Sequence, residues 1–141
     1  MAGYSGTPLT KKLGIKESFR VVLLNEPKGF GRELEDLPPK LRFLTRQSKQ
    51  LDLILLFAKS QAALRRDFPK MTRKLVPNGM FWVAWPKKSS AVVTDLTEND
   101  VRRIGLAAGL VDVKICAIND VWSGLKFVYR LQDRASISDT F

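Results

Sequence analysis

The chain holds 141 residues, 45% of them hydrophobic and 27% charged, which suits one domain with a core of its own. Lysine and arginine number 24 against 14 acids, a net charge of +10. There is no histidine and one cysteine, Cys116, so a disulfide framework, an ordinary zinc site, Ser-His-Asp triads and histidine acid–base chemistry are all excluded.

A basic excess attracts nucleic acid, anionic lipid or phosphorylated small molecules, and it also serves solubility. The first residues, Met1-Ala2-Gly3-Tyr4-Ser5-Gly6-Thr7-Pro8, have no apolar signal core, and no run approaches membrane-spanning length. The expectation is a cytoplasmic protein with no membrane partner and no metal ion. Cys116 lies in a strand-like run and reads as a small apolar residue.

Residues 1–8 read as a flexible Gly/Ser/Pro arm. Leu9–Leu13 suits a short helix ending at Gly14, a position that favours glycine. Residues 19–24 read as the first buried strand, and Asn25-Glu26-Pro27-Lys28-Gly29-Phe30-Gly31 as the loop leaving it. A short helix is expected over residues 33–37, closed by Pro38-Pro39, and a second strand over residues 41–45. Leu51–Phe57 is almost wholly apolar and reads as a third, central strand.

Ser60 caps the next helix, in which Leu64, Phe68, Met71 and Leu75 recur at helical spacing. Pro69 falls inside it and predicts a kink or two short helices. Its other face carries Arg65, Arg66, Lys70, Arg73 and Lys74, the densest basic run in the chain. Pro77 and Asn78-Gly79 then predict a helix end and a tight turn. Residues 80–85 form an apolar run with no helical period, as in a strand covered on both faces. Pro86 ends it, and Lys87-Lys88-Ser89-Ser90 opens a polar loop.

Thr97 opens a helix through about Ala108, with Glu98 and Asp100 in its first turn and Val101, Ile104 and Ala108 on its buried side. Gly109 closes it. Residues 111–118 alternate as a half-exposed strand does, Asn119-Asp120 begins a turn, and residues 125–130 repeat the pattern, which reads as a hairpin. The expected domain spans residues 1–132, with a frayed tail over 133–141.

This order predicts an α/β fold of three layers, a doubly wound and mostly parallel sheet ending in an antiparallel hairpin. It resembles a truncated class I methyltransferase-like, Rossmann-like fold. Leu51-Asp52-Leu53-Ile54 is similar to that family's strand opening on aspartate. Met71-Thr72-Arg73-Lys74-Leu75-Val76-Pro77-Asn78-Gly79 is similar to its helix-end motif L-x-x-x-L-K-P-G-G, and Ala108-Gly109-Leu110-Val111 to the turn before its last parallel strand. Tyr4-Ser5-Gly6-Thr7-Pro8-Leu9, Trp85-Pro86-Lys87-Lys88-Ser89 and Trp122-Ser123-Gly124-Leu125-Lys126-Phe127 resemble a family of short bacterial proteins known only as a domain of unknown function, which implies no activity.

The methyltransferase resemblance implies a glycine-rich loop after the first strand, where the backbone approaches S-adenosylmethionine. It also implies an acid after the second strand to hold the ribose. Here the first loop contains Pro27 and Lys28, and the second strand runs into Thr45-Arg46-Gln47. No cofactor and no catalytic residue are therefore expected.

In open α/β sheets, ligands bind outside the carboxyl ends of the parallel strands. That edge gathers Asn25 and Glu26, Lys59 and Ser60, Lys87, Lys88, Ser89 and Ser90, and Asn119 to Ser123. The lysines and serines suit an anion cradle or a solvated loop. Glu26 and Asp95 suit acid–base, turn or capping roles, and Trp122 either packs down or covers a ligand. The expected site is Asn25, Glu26, Lys87, Lys88, Ser89, Ser90, Trp122 and Ser123, taking an anionic small molecule or protein partner without catalysis. Two other readings stand beside it: a nucleic-acid binder using Arg65, Arg66, Lys70, Arg73 and Lys74, and a transferase with an atypical cofactor mode.

Overall fold

The computed structural model describes residues 6–138. Its strands are β1 (Arg20–Leu24), β2 (Arg42–Phe43), β3 (Leu51–Phe57), β4 (Leu75–Pro86), β5 (Leu110–Ala117) and β6 (Trp122–Tyr129). They form one sheet in the order β2-β1-β3-β4-β6-β5. The first four are mutually parallel, and β6 runs antiparallel between β4 and β5. The expected closing hairpin is therefore present, and so is the mostly parallel sheet.

The helices are α1 (Leu9–Leu13), α2 (Gln61–Thr72), α3 (Glu98–Ala107) and α4 (Arg134–Ser138). Strand alternation decides which of them each apolar residue meets. Phe81, Val83 and Trp85 of β4 join Leu64, Phe68 and Met71 of α2 and Val101 and Ile104 of α3. Trp82 and Ala84 point the other way, to Leu9 and Leu13 of α1 and to Phe30. Both faces of the sheet are thus covered, giving the expected three layers. The Trp82 indole N–H donates to the Leu13 carbonyl at 2.9 Å and ties α1 to the sheet.

Local signals at chain reversals behave as expected. Gly14 and Gly109 take left-handed φ values of 83° and 96° at helix ends. Ser60 accepts from Ala63 N–H at 3.1 Å, and Thr97 with Asp100 forms a capping box.

Four expectations are corrected. Residues 75–79 are strand, not helix end and turn, and Leu75 reaches the core from β4 rather than from α2. Leu51 pairs with Leu75 while Leu53 pairs with Met80, so β4 bulges over residues 76–79. A bulge is where a strand tolerates proline. It also explains Gly79 without any left-handed φ, because a Cβ there would come within 2.6 Å of Leu75 Cδ1.

Second, α2 runs through Pro69 as one helix and not as two short ones. Pro69 and Arg65 are both exposed, so the carbonyl that loses its donor is away from the core. Third, the expected helix over 33–37 is a 3₁₀ turn at Phe30–Glu33, where burial of Phe30 to 1% exposure outweighs the later residues' helical signals. Fourth, β6 begins at Trp122, and the chain beyond it folds into a 3₁₀ turn, Leu131–Asp133, and α4, whose Ile137 packs on the α2–α3 core. Residues 131–138 are therefore helical across the expected boundary at residue 132. Residues 139–141, and 1–5 of the expected arm, lie outside the described residues.

Candidate anion-binding edge

The carboxyl ends of β1, β3 and β4 and the β5–β6 turn share one edge. Pro86 is paired with Trp122 across the β4–β6 ladder, and Lys87 N–H donates to the Val121 carbonyl at 2.7 Å. The lysine loop is thereby fixed beside the hairpin turn. Ser90 N–H and its hydroxyl both donate to the Lys87 carbonyl, at 3.0 and 2.8 Å. Ser90 thus shapes the loop, while Lys88 and Ser89 stand exposed.

Lys87 and Lys88 open onto a cleft of about 400 Å³ with Val92, Thr94, Asp95 and Thr97. Neither lysine forms an ion pair among the described residues. The far wall is held by hydrogen bonds to the start of α2: Thr94 Oγ1 donates to the Lys59 carbonyl at 2.6 Å, and Asp95 Oδ1 accepts from Gln61 N–H at 2.8 Å. Asp95 accordingly serves as a helix-start acceptor.

The expected site does not assemble as one unit. Asn25, in the left-handed region at φ 57°, lies 3.5 Å from the Arg46 guanidinium on the β2 side. Glu26 lines a separate apolar cleft of about 240 Å³ with Leu23, Leu34, Leu37, Phe43 and Leu44. Strand β3 stands between these residues and β4, two strand spacings or about 10 Å of backbone. Ser123 is half-buried within β6, paired with Trp85 and Ala117.

Trp122 packs down rather than covering a ligand. It is 5% exposed, and its ring meets Phe57 edge to face at 5.0 Å. Phe30 meets the other side of this group, 4.8 Å from Phe57. Phe57, at the end of β3, thus joins the loop leaving β1 to the start of β6 through ring contacts. Asn119 braces the turn: its Oδ1 accepts from Val121 and Trp122 N–H, both at 2.9 Å, and its Nδ2 donates to Glu33.

The basic run on α2 is partly engaged. Arg66 pairs with Asp67 at 3.1 Å, and Lys74 donates to the Arg46 carbonyl. Arg73 caps the helix and Lys74 follows it, which leaves Arg65 and Lys70 as exposed cations on α2 itself. Arg65 lines a cleft of about 280 Å³ toward Arg103 of α3, and Arg103 is paired with Asp100 at 2.6 Å.

Sequence reading missed the apolar cleft at Leu37 and Phe43. Its signal was two large apolar residues in short loop and edge segments with no helix to cover them. Among the described residues, no helix is long and apolar enough to cross a membrane.

A scan against protein-family models and a search of curated proteins return no match. Solved structures do match. A Methanococcus jannaschii fibrillarin pre-rRNA processing protein aligns with a TM-score of 0.58 at 13% identity, over 90% of this chain and 70% of that one. A SAM-dependent methyltransferase from Aquifex aeolicus aligns with a TM-score of 0.59 at 12% identity, over 84% and 86%. Aeropyrum pernix fibrillarin, solved with natively bound S-adenosyl-L-methionine, aligns with a TM-score of 0.60 at 11% identity, over 89% and 70%. Identities this low carry architecture and no activity. The sheet order, the closing hairpin and these likenesses together make this a methyltransferase-like Rossmann fold.

Proposed function

We propose that the chain is a non-catalytic, methyltransferase-like binding domain of the cytoplasm that takes an anionic ligand at the lysine cleft. One observation carries the reading. At the carboxyl edge, Phe30, Phe57 and Trp122 pack ring against ring, while a cleft lined by Lys87 and Lys88 stays open. Small-molecule sites commonly occupy about 300–1,000 Å³; the lysine cleft falls within that range and the Glu26 cleft below it, while a third cleft of about 410 Å³ is lined by Glu33 and Glu35 beside Arg32 and suits an anion less. Two lysines that form no ion pair among the described residues, beside an Asp95 already engaged by Gln61 N–H, favour an anion there.

The test is a titration of the full chain with inorganic pyrophosphate, followed by amide chemical shifts. Shifts centred on Lys87–Ser90 and Thr97, lost in the Lys87→Ala/Lys88→Ala variant while its melting is unchanged, support the proposal. Shifts only at other residues, or none, overturn it.

A second reading, a transferase with an atypical cofactor mode, draws on the apolar cleft at the ends of β1 and β2 and its one carboxylate, Glu26. Fibrillarin from Aeropyrum pernix binds S-adenosyl-L-methionine natively. Calorimetry with that cofactor separates the readings: no measurable heat is expected, and micromolar binding would establish the second reading instead.

A further inference from the structure

Four lysines gather on the sheet face that carries α1. Lys114 of β5 stands directly opposite Lys126 of β6 in the antiparallel register. Lys12 reaches over from α1, its Nζ 3.4 Å from the Ala117 carbonyl. Lys16 lies near enough to act on the charge of Lys126. Beneath them, the Lys126 ammonium sits 5.9 Å from the centre of the Trp82 ring. Because Trp82 is hydrogen-bonded to Leu13, α1 and the strand beneath these lysines are tied together.

This arrangement is costly for the fold. Like charges directly opposed across an antiparallel pair destabilise it. Burial, and then the charge of Lys114, push the pKa of the Lys126 ammonium down. The chain thus brings cations together on one face, with Lys126 half-buried and Lys16 and Lys114 exposed, and no carboxylate is ion-paired to these three among the described residues.

We propose that this face binds a chain of phosphate groups, the chemistry shared by a nucleic-acid backbone and a free polyphosphate. Several neighbouring ammonium groups suit a multiply charged anion better than a single carboxylate. Trp82 is fully buried and offers no surface on which a base could stack, so contacts are to phosphate and indifferent to sequence. The face is separate from the Lys87 cleft, which opens at the sheet edge toward the start of α3.

The chain's one cysteine reports on this face alone. Cys116 lies two residues from Lys114; burial raises its thiol pKa, and Lys12, Lys114 and Lys126 lower it. An anion that neutralises these lysines reduces the thiolate fraction, and with it the rate of alkylation by neutral iodoacetamide. The experiment measures that rate on the full chain with tripolyphosphate, with a single-stranded oligothymidylate, and with sodium chloride of matched ionic strength. Saturable slowing beyond the salt control supports the proposal. Slowing by the oligonucleotide alone names a nucleic-acid backbone as the source, and slowing by tripolyphosphate alone names a free polyphosphate.

The rate with probe divided by the rate without it, below one in the parent, should return to one in Lys114→Ala/Lys126→Ala and rise part of the way toward one in the milder Lys114→Gln. It should stay at the parent's value in Lys87→Ala/Lys88→Ala, so failure here is distinct from failure of the lysine cleft. No slowing beyond the salt control, or slowing that survives Lys114→Ala/Lys126→Ala in a folded protein, overturns the proposal.

Discussion

Phe30 stands edge-on to Phe57, their ring centres 4.8 Å apart and their planes at 70°. Phe30 belongs to the loop leaving β1, and Phe57 is the last residue of β3. The contact therefore fastens a loop of unusual composition over the end of the neighbouring strand. It lies at the carboxyl edge, where an open α/β sheet ordinarily binds its ligand.

Truncating this ring should be expensive. Phe30 is 1% exposed, and removal of a buried phenylalanine side chain costs about 3–5 kcal/mol through lost transfer energy and the cavity left behind. Phe30→Ala is expected toward the lower end, because the loop carrying it can partly collapse. Urea denaturation of variant and parent measures the difference. A loss within about half a kcal/mol, ordinary for surface substitutions, would show that the loop is not anchored by this ring.

Gly105 sets how closely α3 lies on the sheet. It is buried, and a Cβ added there would run into the Phe127 ring of β6. In an exposed helix, alanine in place of glycine is favourable by up to about 1 kcal/mol. Here overpacking opposes that gain at about 1–3 kcal/mol. Gly105→Ala should therefore lower the thermal midpoint, and combining it with Phe127→Leu should recover part of the loss. A raised midpoint in the single variant would place α3 farther from β6 than described.

Tyr129 gives the fold an alkaline limit. Burial pushes its phenol up to about 12, against about 10 in an unfolded chain, and its hydroxyl donates to the Thr72 carbonyl. The folded-state pKa is raised, so this contribution is complete below about pH 10 and is lost as pH rises toward 12. Denaturation across that window should show stability falling with pH, and Tyr129→Phe should flatten the slope. The variant should also cost about 1 kcal/mol at neutral pH, since the Thr72 carbonyl loses its donor. A phenolate absorbance titration of the variant should lack the later-ionising group.

Much of the architecture was legible because it rests on local chemistry. Gly14 and Gly109 mark helix ends because a left-handed residue without a Cβ carries no steric cost there. Ser60 and Thr97 mark helix starts because their hydroxyls accept orphaned N–H groups. The apolar run of β3 announced a strand buried on both faces. At Pro77-Asn78-Gly79 the same local rules misled. A proline and a turn dipeptide are accommodated in a strand when the partner leaves them outside the ladder, a property of the β3–β4 register.

The candidate site divides in the same way. Composition established a basic chain without histidine, and chain order placed Lys87 and Trp122 on one edge, since parallel strands must end together. Whether Trp122 faces solvent or core depended on Phe57 and Phe30, residues 65 and 92 positions away in the chain. The pairing of Lys114 with Lys126 was likewise invisible, because the β5–β6 register slips between Asp112 and Lys114 and that slip decides which side chains become neighbours. Capping, turn preference and hydrophobic period act over a few residues, so the sequence alone determined the elements and their order. Register, and the face on which each charge emerges, depend on contacts between distant segments, and only the tertiary structure decided them.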